Sequence, residues 1–261
     1  MNLHHVRRGA GEPLLLIQGM SGNHEHWGEQ FLELLERDFD VIAYDHRGVG
    51  WSPGIEKPFT IAELADDAAA LLDRLGVDRA HVLGISMGGM VAQELALNHP
   101  ERVRTLTLGC TYAGGPDGTL ADAAVFAPTV DALRRGDREG AIRASWEANV
   151  SEAFAADKAA YAAFQATALR KPTALRVLML QMRAIAAHDA HLRLPEIAAP
   201  TLIIHGSEDR MLPVSNGEAI ARAMPDARFE RYDGVGHMFW IERPERTAEL
   251  VREHALAGAA A

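Results

Sequence analysis

Ser86, Asp209 and His237 could together carry out nucleophilic acyl chemistry. Ser86 stands in Gly84-Ile85-Ser86-Met87-Gly88-Gly89, after an apolar run (Ala80, His81, Val82, Leu83) and at the head of a helical pattern. A serine hydroxyl is a weak nucleophile until a base takes its proton. That base in turn needs a partner to fix its tautomer and stabilise the imidazolium. A strand, then Gly-x-Ser-x-Gly, then a helix is the context of a nucleophile elbow. The tight turn strains the serine backbone, and a Cβ two residues to either side would collide across it, which calls for glycine. The helix start then supplies free N–H groups and positive partial charge beside the hydroxyl.

The chain holds 12 histidines, so position must choose among them. Gly234-Val235-Gly236-His237-Met238-Phe239 follows the last strand candidate and forms a Gly-rich loop, from which His237 could reach a sheet edge. His81 and His205 fall in strand candidates, and His99 and His188 at or near helix ends, so these four have structural explanations. For the acid, Gly206-Ser207-Glu208-Asp209 follows another strand candidate. Asp209 is the first choice and Glu208 the alternative. The order Ser86, Asp209, His237 is one of the chain orders in which this constellation occurs. Leu14-Leu15-Leu16-Ile17-Gln18-Gly19-Met20-Ser21-Gly22 is a strand running into a glycine loop. The backbone N–H groups of Met20 and Met87 would face a developing oxyanion, where losing one donor slows reaction about 100- to 1000-fold.

The elements that must position these residues are short apolar runs alternating with helix-period stretches. Residues 14–17, 41–44, 80–83, 105–108, 201–205 and 228–232 read as strands. Most are continuously apolar, as in parallel strands covered on both faces. Residues 27–37, 61–75, 87–98, 215–223 and 244–257 read as helices, with Thr60 and Glu63 forming a capping box. The fold class is α/β, a mostly parallel, doubly wound sheet. Residues 114–194 break the rhythm with alanine-rich helical sequence, notably 141–148, 155–169 and 174–187. That is too long for one crossover, so 1–113 and 195–261 are expected to form a core domain and 114–194 a helical cap over the site.

Apolar residues make up 48% of the 261 and charged residues 24%, which suits one large globular unit. A net charge of -10 with no basic stripe argues against nucleic-acid binding. No apolar run is long enough for a membrane span, and no h-region of a signal peptide is seen at the start. Cys110 is the single cysteine, expected as a small buried hydrophobe in a cytoplasmic protein.

With these residues assembled, the chain resembles the α/β-hydrolase fold superfamily over almost its whole length. It is similar to the serine-nucleophile branch of esterases, 3-oxoadipate enol-lactonases and cofactor-free haloperoxidases. The resemblance lies in Gln18-Gly19-Met20-Ser21-Gly22, Tyr44-Asp45-His46-Arg47-Gly48-Val49-Gly50-Trp51-Ser52, Gly84 to Gly89, His99-Pro100-Glu101-Arg102-Val103, Gly206 to Asp209, and Gly236-His237. It implies a helical cap inserted in a sheet of about seven to eight strands. Two departures stand out. Gln18 occupies the position where the family usually has histidine, and its amide can still bond the loop backbone. Only about a dozen residues precede Leu14, so the family's first strand is expected to be missing or vestigial.

The resemblance also bears on substrate. The fold's haloalkane dehalogenases and epoxide hydrolases attack sp³ carbon with a carboxylate, whereas Ser86 suits acyl transfer to water. The expected function is therefore a serine hydrolase that cleaves a small to medium, largely apolar carboxylic ester or lactone, without metal or cofactor. His24 and His26, spaced i, i+2 with no evident third ligand, do not read as a metal site. Met20, Met87, Met211, Met238, Phe239 and Trp240 lie beside the predicted site residues. Met211, Met238 and the cap's Trp146 are expected to line the substrate pocket, with gap-filling core as the alternative. The cap arginines (among them Arg143, Arg170 and Arg193) are expected on solvated faces. Two other functions stay open: a C–C hydrolase or perhydrolase using the same triad, and a non-catalytic ligand receptor on the same fold. Homo-oligomer formation is also left open.

Overall fold

The computed structural model describes residues 1–55 and 57–259. Among the described residues, seven strands form one sheet: β1 (His5–Gly9), β2 (Glu12–Ile17), β3 (Phe39–Tyr44), β4 (Ala80–Ile85), β5 (Val103–Gly109), β6 (Thr201–Gly206) and β7 (Arg228–Tyr232). Their spatial order is β1-β3-β2-β4-β5-β6-β7. β1 runs antiparallel to β3, and every other pairing is parallel. Alternate residues of the central strands enter two cores, one on each face. Leu15, Ile17 and Val82 pack with helices α2 (Ile61–Arg74) and α3 (Met87–Asn98). Leu14, Leu16 and Leu83 pack with α1 (Glu29–Leu35) and α10 (Pro244–Ala259). Burial on both faces is why these strands read as unbroken apolar runs.

Seven strands agree with the seven to eight expected, and the residues before Leu14 supply one to which the apolar pattern gave no sign. β1 reads His-Val-Arg-Arg-Gly and buries none of its residues, so it carries no apolar signal. Pairing with β3 holds it in place. Gly9, at φ +81°, makes the turn into β2, and a Cβ there would lie 2.3 Å from the Phe39 carbonyl oxygen. Both open edges of the sheet bear arginines in ion pairs. On β1, Arg7 meets Asp40, and Arg8 meets Glu29 and Glu36. On β7, Arg228 meets Glu253 and Arg231 meets Glu218.

The Thr60 capping box forms, with Glu63 N–H on Thr60 Oγ1 at 3.1 Å and Thr60 N–H on Glu63 Oε2 at 2.8 Å. The helix expected over 27–37 is instead divided. Gly28 (φ +77°, ψ 139°) separates a short 3₁₀ turn, His24–Trp27, from α1. Between β5 and β6 lie four helices: α4 (Ala123–Arg134), α5 (Arg138–Asn149), α6 (Lys158–Arg170) and α7 (Leu175–Ala186). The sequence reading assigned no helix at α4, which carries Pro128 in its interior. α8 (Ser215–Ala223) follows β6, and the single turn α9 (Phe239–Glu242) precedes α10.

Candidate active site

Ser86 sits between β4 and α3 with φ 54° and ψ -124°, in the positive-φ region that a side-chain-bearing residue rarely adopts. Its N–H donates to the Gly109 carbonyl at 2.9 Å, and Thr111 Oγ1 donates to its carbonyl at 2.7 Å. The flanking glycines are required by contact. A Cβ on Gly84 would fall 2.3 Å from the Gly88 carbonyl oxygen, and one on Gly88 2.0 Å from that of Ile17. Strain of this kind persists only where its surroundings over-determine it, and it clusters at active sites.

His237 Nδ1 lies 2.7 Å from Asp209 Oδ2, with both residues buried. Asp209 hangs beyond the end of β6, and its Oδ1 accepts the N–H groups of Met211 and Leu212 at 2.8 and 2.9 Å. Burial pushes its carboxyl up, but the charge and hydrogen bond of His237, with the hydrogen bond of His205, outweigh this and hold it at about 2. Glu208 is exposed and takes no part in this arrangement.

Two residues that the sequence explains structurally, His205 and Cys110, lie beside this site. His205 Nε2 lies 3.2 Å from Asp209 Oδ2 and donates to the Leu212 carbonyl at 2.7 Å. The signal was its place four residues before Asp209 at the end of a strand. Cys110 is fully buried with φ 38°, and its sulfur lies within 4.8 Å of ligating atoms of both Asp209 and His237. Burial first, then the negative charge of Asp209, pushes its thiol well up, so it behaves as a small hydrophobe.

The loop after β2 lies against Ser86, since a Cβ on Gly19 would be 3.1 Å from Ser86 Cβ. Gln18 Oε1 accepts the Gly19 N–H at 2.8 Å, so its amide does bond the loop backbone. The Ser21 N–H goes to Gln181 Oε1 at 3.0 Å. The amides on either side of Met20 are therefore committed. Met87 is the first residue of α3, where a helical N–H has no intrahelical acceptor. The Asp45-His46-Arg47-Gly48 turn braces this loop. His46 Nε2 donates to the Gln18 carbonyl at 2.9 Å, and Asp45 accepts the backbone N–H groups of His24 and Trp51.

The expected pocket residues separate. Met211 is held beside Asp209 by its own N–H. Trp146 is fully buried among Phe154, Tyr161 and Phe164, with ring centroids 5.4 to 6.1 Å away. Trp146 and Met238 line a cavity of about 840 Å³ between α6 and α1, together with Phe31, Phe164 and Trp240. None of Ser86, Asp209, His237 or Met20 lines it. The arginines of 114–194 are largely engaged: Arg170 with Glu25, Arg193 with Glu94, and Arg143 over the Tyr161 ring at 3.7 Å. His24 groups with His4 and Asp45, not with His26, closely enough to share a cation. Both Asp45 oxygens already accept protein hydrogens, so the cluster reads as a brace for the loop.

The family model of the alpha/beta hydrolase fold matches residues 12–244. A relative from Azorhizobium caulinodans, provisionally named carbamate hydrolase RutD, is 32% identical over 259 residues, covering 96% of this chain and 93% of that protein. The esterase RhEst1 of Rhodococcus sp. ECU1013 superimposes with a TM-score of 0.83 at 28% identity, over 97% of this chain and 94% of its own. Est816, described as an N-acyl homoserine lactone degrading enzyme, does so with a TM-score of 0.76 at 29% identity, over 96% of each chain. This chain is a hydrolase belonging to the α/β-hydrolase fold family.

Proposed function

We propose that the protein is a serine hydrolase that cleaves a carboxylic ester or lactone, small to medium and largely apolar, through an acyl-enzyme. The observation that carries this reading is the 2.7 Å contact of His237 Nδ1 with buried Asp209, two residues that, like the strained Ser86, follow the carboxyl ends of parallel strands. Asp209 fixes the tautomer in which His237 Nδ1 bears the proton and Nε2 is free to act as base. Ser86 Oγ attacks the carbonyl carbon as His237 takes its proton. The tetrahedral oxyanion is met by the N–H groups of Met20 and Met87. His237 then returns the proton to the leaving alcohol, and water repeats the sequence on the acyl-enzyme. Each step uses only these residues and water. The four-helix segment 114–194 acts as the cap. The single buried thiol suits a cytoplasmic setting.

A second reading, carbamate hydrolysis, is favoured by the 32% identity to the Azorhizobium protein. A carbamate offers the same sp² carbonyl to Ser86, and the leaving group would decide between the two.

The test is hydrolysis of p-nitrophenyl acetate, butyrate, octanoate and laurate, and of a p-nitrophenyl carbamate, with Ser86→Ala and His237→Ala beside wild type. The expected result is ester turnover that falls by about 10⁴-fold or more in both variants. Faster carbamate turnover would favour the second reading. Wild-type rates in Ser86→Ala would refute both.

A further inference from the structure

Gly236 and Met238 flank His237, and both backbone N–H groups find acceptors outside the sheet. Gly236 N–H donates to Glu242 Oε1 at 2.9 Å, and Met238 N–H donates to the carbonyl of Asn149, the last residue of α5, at 2.8 Å. Glu242 is buried in α9. Its Oε1 also accepts the Ser151 N–H at 2.9 Å, and its Oε2 accepts Ser151 Oγ at 2.6 Å. The two backbones touch, for a Cβ on Gly236 would lie 2.4 Å from the Val150 carbonyl carbon. One buried carboxylate thus ties the base loop to the segment following α5.

The oxyanion loop is held in the same manner from the other end of the helical segment. Ser21 has φ 64°, and both of its backbone polar groups are taken by residues of that segment. Gln181 Oε1 accepts its N–H at 3.0 Å, and Thr173 Oγ1 donates to its carbonyl at 3.0 Å. Gln181 is fully buried on α7.

We infer that Glu242 and Gln181 are positioning residues, the two points at which the helical segment clamps the loop of the base and the loop of the oxyanion donor. The inference deepens the serine-hydrolase reading above and rests on it. Replacing Glu242 by alanine leaves the buried N–H groups of Gly236 and Ser151 without an acceptor, so the loop beside His237 must shift to satisfy them. Glutamine avoids this. Its oxygen accepts both N–H groups, and its NH₂ donates to a rotated Ser151 hydroxyl. Gln181→Met keeps volume but removes the acceptor for Ser21, whose positive φ then loses its hold.

The test is kcat and KM for p-nitrophenyl butyrate, and the rate of fluorophosphonate labelling of Ser86, in Glu242→Gln, Glu242→Ala and Gln181→Met. Rates are taken per folded enzyme, with Ser86→Ala as control. Small misplacements of catalytic groups cost about 10- to 100-fold. That loss is expected in kcat and labelling for Glu242→Ala and Gln181→Met, with KM within about threefold and Glu242→Gln close to wild type. If Glu242→Ala does not fold, two milder variants are expected to lower kcat several-fold: Ser151→Ala, which removes the hydroxyl's bond to Glu242 and the acceptor of the Phe154 N–H, and Thr173→Val, which removes one bond to Ser21. Wild-type kcat per folded enzyme in Glu242→Ala or Gln181→Met, even with lowered thermal stability, removes that point of the clamp. Such a result beside an inactive Ser86→Ala overturns this inference alone. An active Ser86→Ala overturns the reading beneath it.

Discussion

His205 stands behind Asp209, its Nε2 3.2 Å from the same carboxylate oxygen that meets His237. Its stronger bond goes to the Leu212 carbonyl at 2.7 Å, so it secures the acid loop and the acid together. His205→Leu removes one donor from a carboxylate now held at about 2 and raises that value. Ester hydrolysis should fall about three- to tenfold, the worth of one modest hydrogen bond. Activity should also be lost at higher pH than in wild type as the solution is acidified. A pH series of kcat/KM for both proteins checks this, and superimposable profiles would contradict it.

Stability should decline in mild acid because of His188. Burial lowers its folded value to about 4 from 6.5, although the charge of Glu94 opposes this. The unfolded chain binds a proton below about 6.5 that the folded chain refuses until about 4. This contribution is therefore absent above 6.5, grows more destabilising between 6.5 and 4, and levels off below. The full loss is up to about 3 kcal/mol. His188→Gln should show a shallower fall than wild type in urea unfolding midpoints from pH 7 to pH 4.5.

Gly88→Ala tests the crowding beneath the elbow. Its Cβ would lie 2.0 Å from the carbonyl oxygen of Ile17, the last residue of β2, a strand paired on both sides. Neither side can yield, so we expect a loss of about 3 kcal/mol in urea unfolding. An unchanged midpoint would mean that the elbow is looser than described.

Trp146 separates packing from specificity. It is enclosed by aromatic rings, and the cavity it lines excludes the proposed catalytic residues. Trp146→Ala should cost about 3–5 kcal/mol of stability. The preferred acyl length among p-nitrophenyl esters should stay the same. A shifted optimum would instead make that cavity part of the substrate site.

The parts of the molecule legible in the sequence were those with a strong local signal. The two-sided apolar strands, the Thr60 box and the glycines around Ser86 each leave a local pattern, and Asp209 and His237 follow strands whose ends could be read. β1 was not legible, because an exposed edge strand of arginines has no apolar period and is held by pairing with β3. α4 was hidden by Pro128. Glu242 and Gln181 went unseen for another reason: their partners Gly236, Ser151 and Ser21 lie 6, 91 and 160 residues away, and their acceptor roles exist only once the chain has folded.

The paired arginines at the two ends of the sheet bear on how the chain reaches this state. β1 is synthesised before its partner β3, which begins thirty residues after β1 ends. Until β3 arrives, the backbone of β1 is open to any passing strand. Arg7 and Arg8 make such strays unwelcome, because a foreign strand would have to lie alongside unneutralised charge. When β3 and α1 arrive, Asp40, Glu29 and Glu36 neutralise that charge within the same molecule. The edge is thus guarded against aggregation while the nascent chain is incomplete, and satisfied once it is whole.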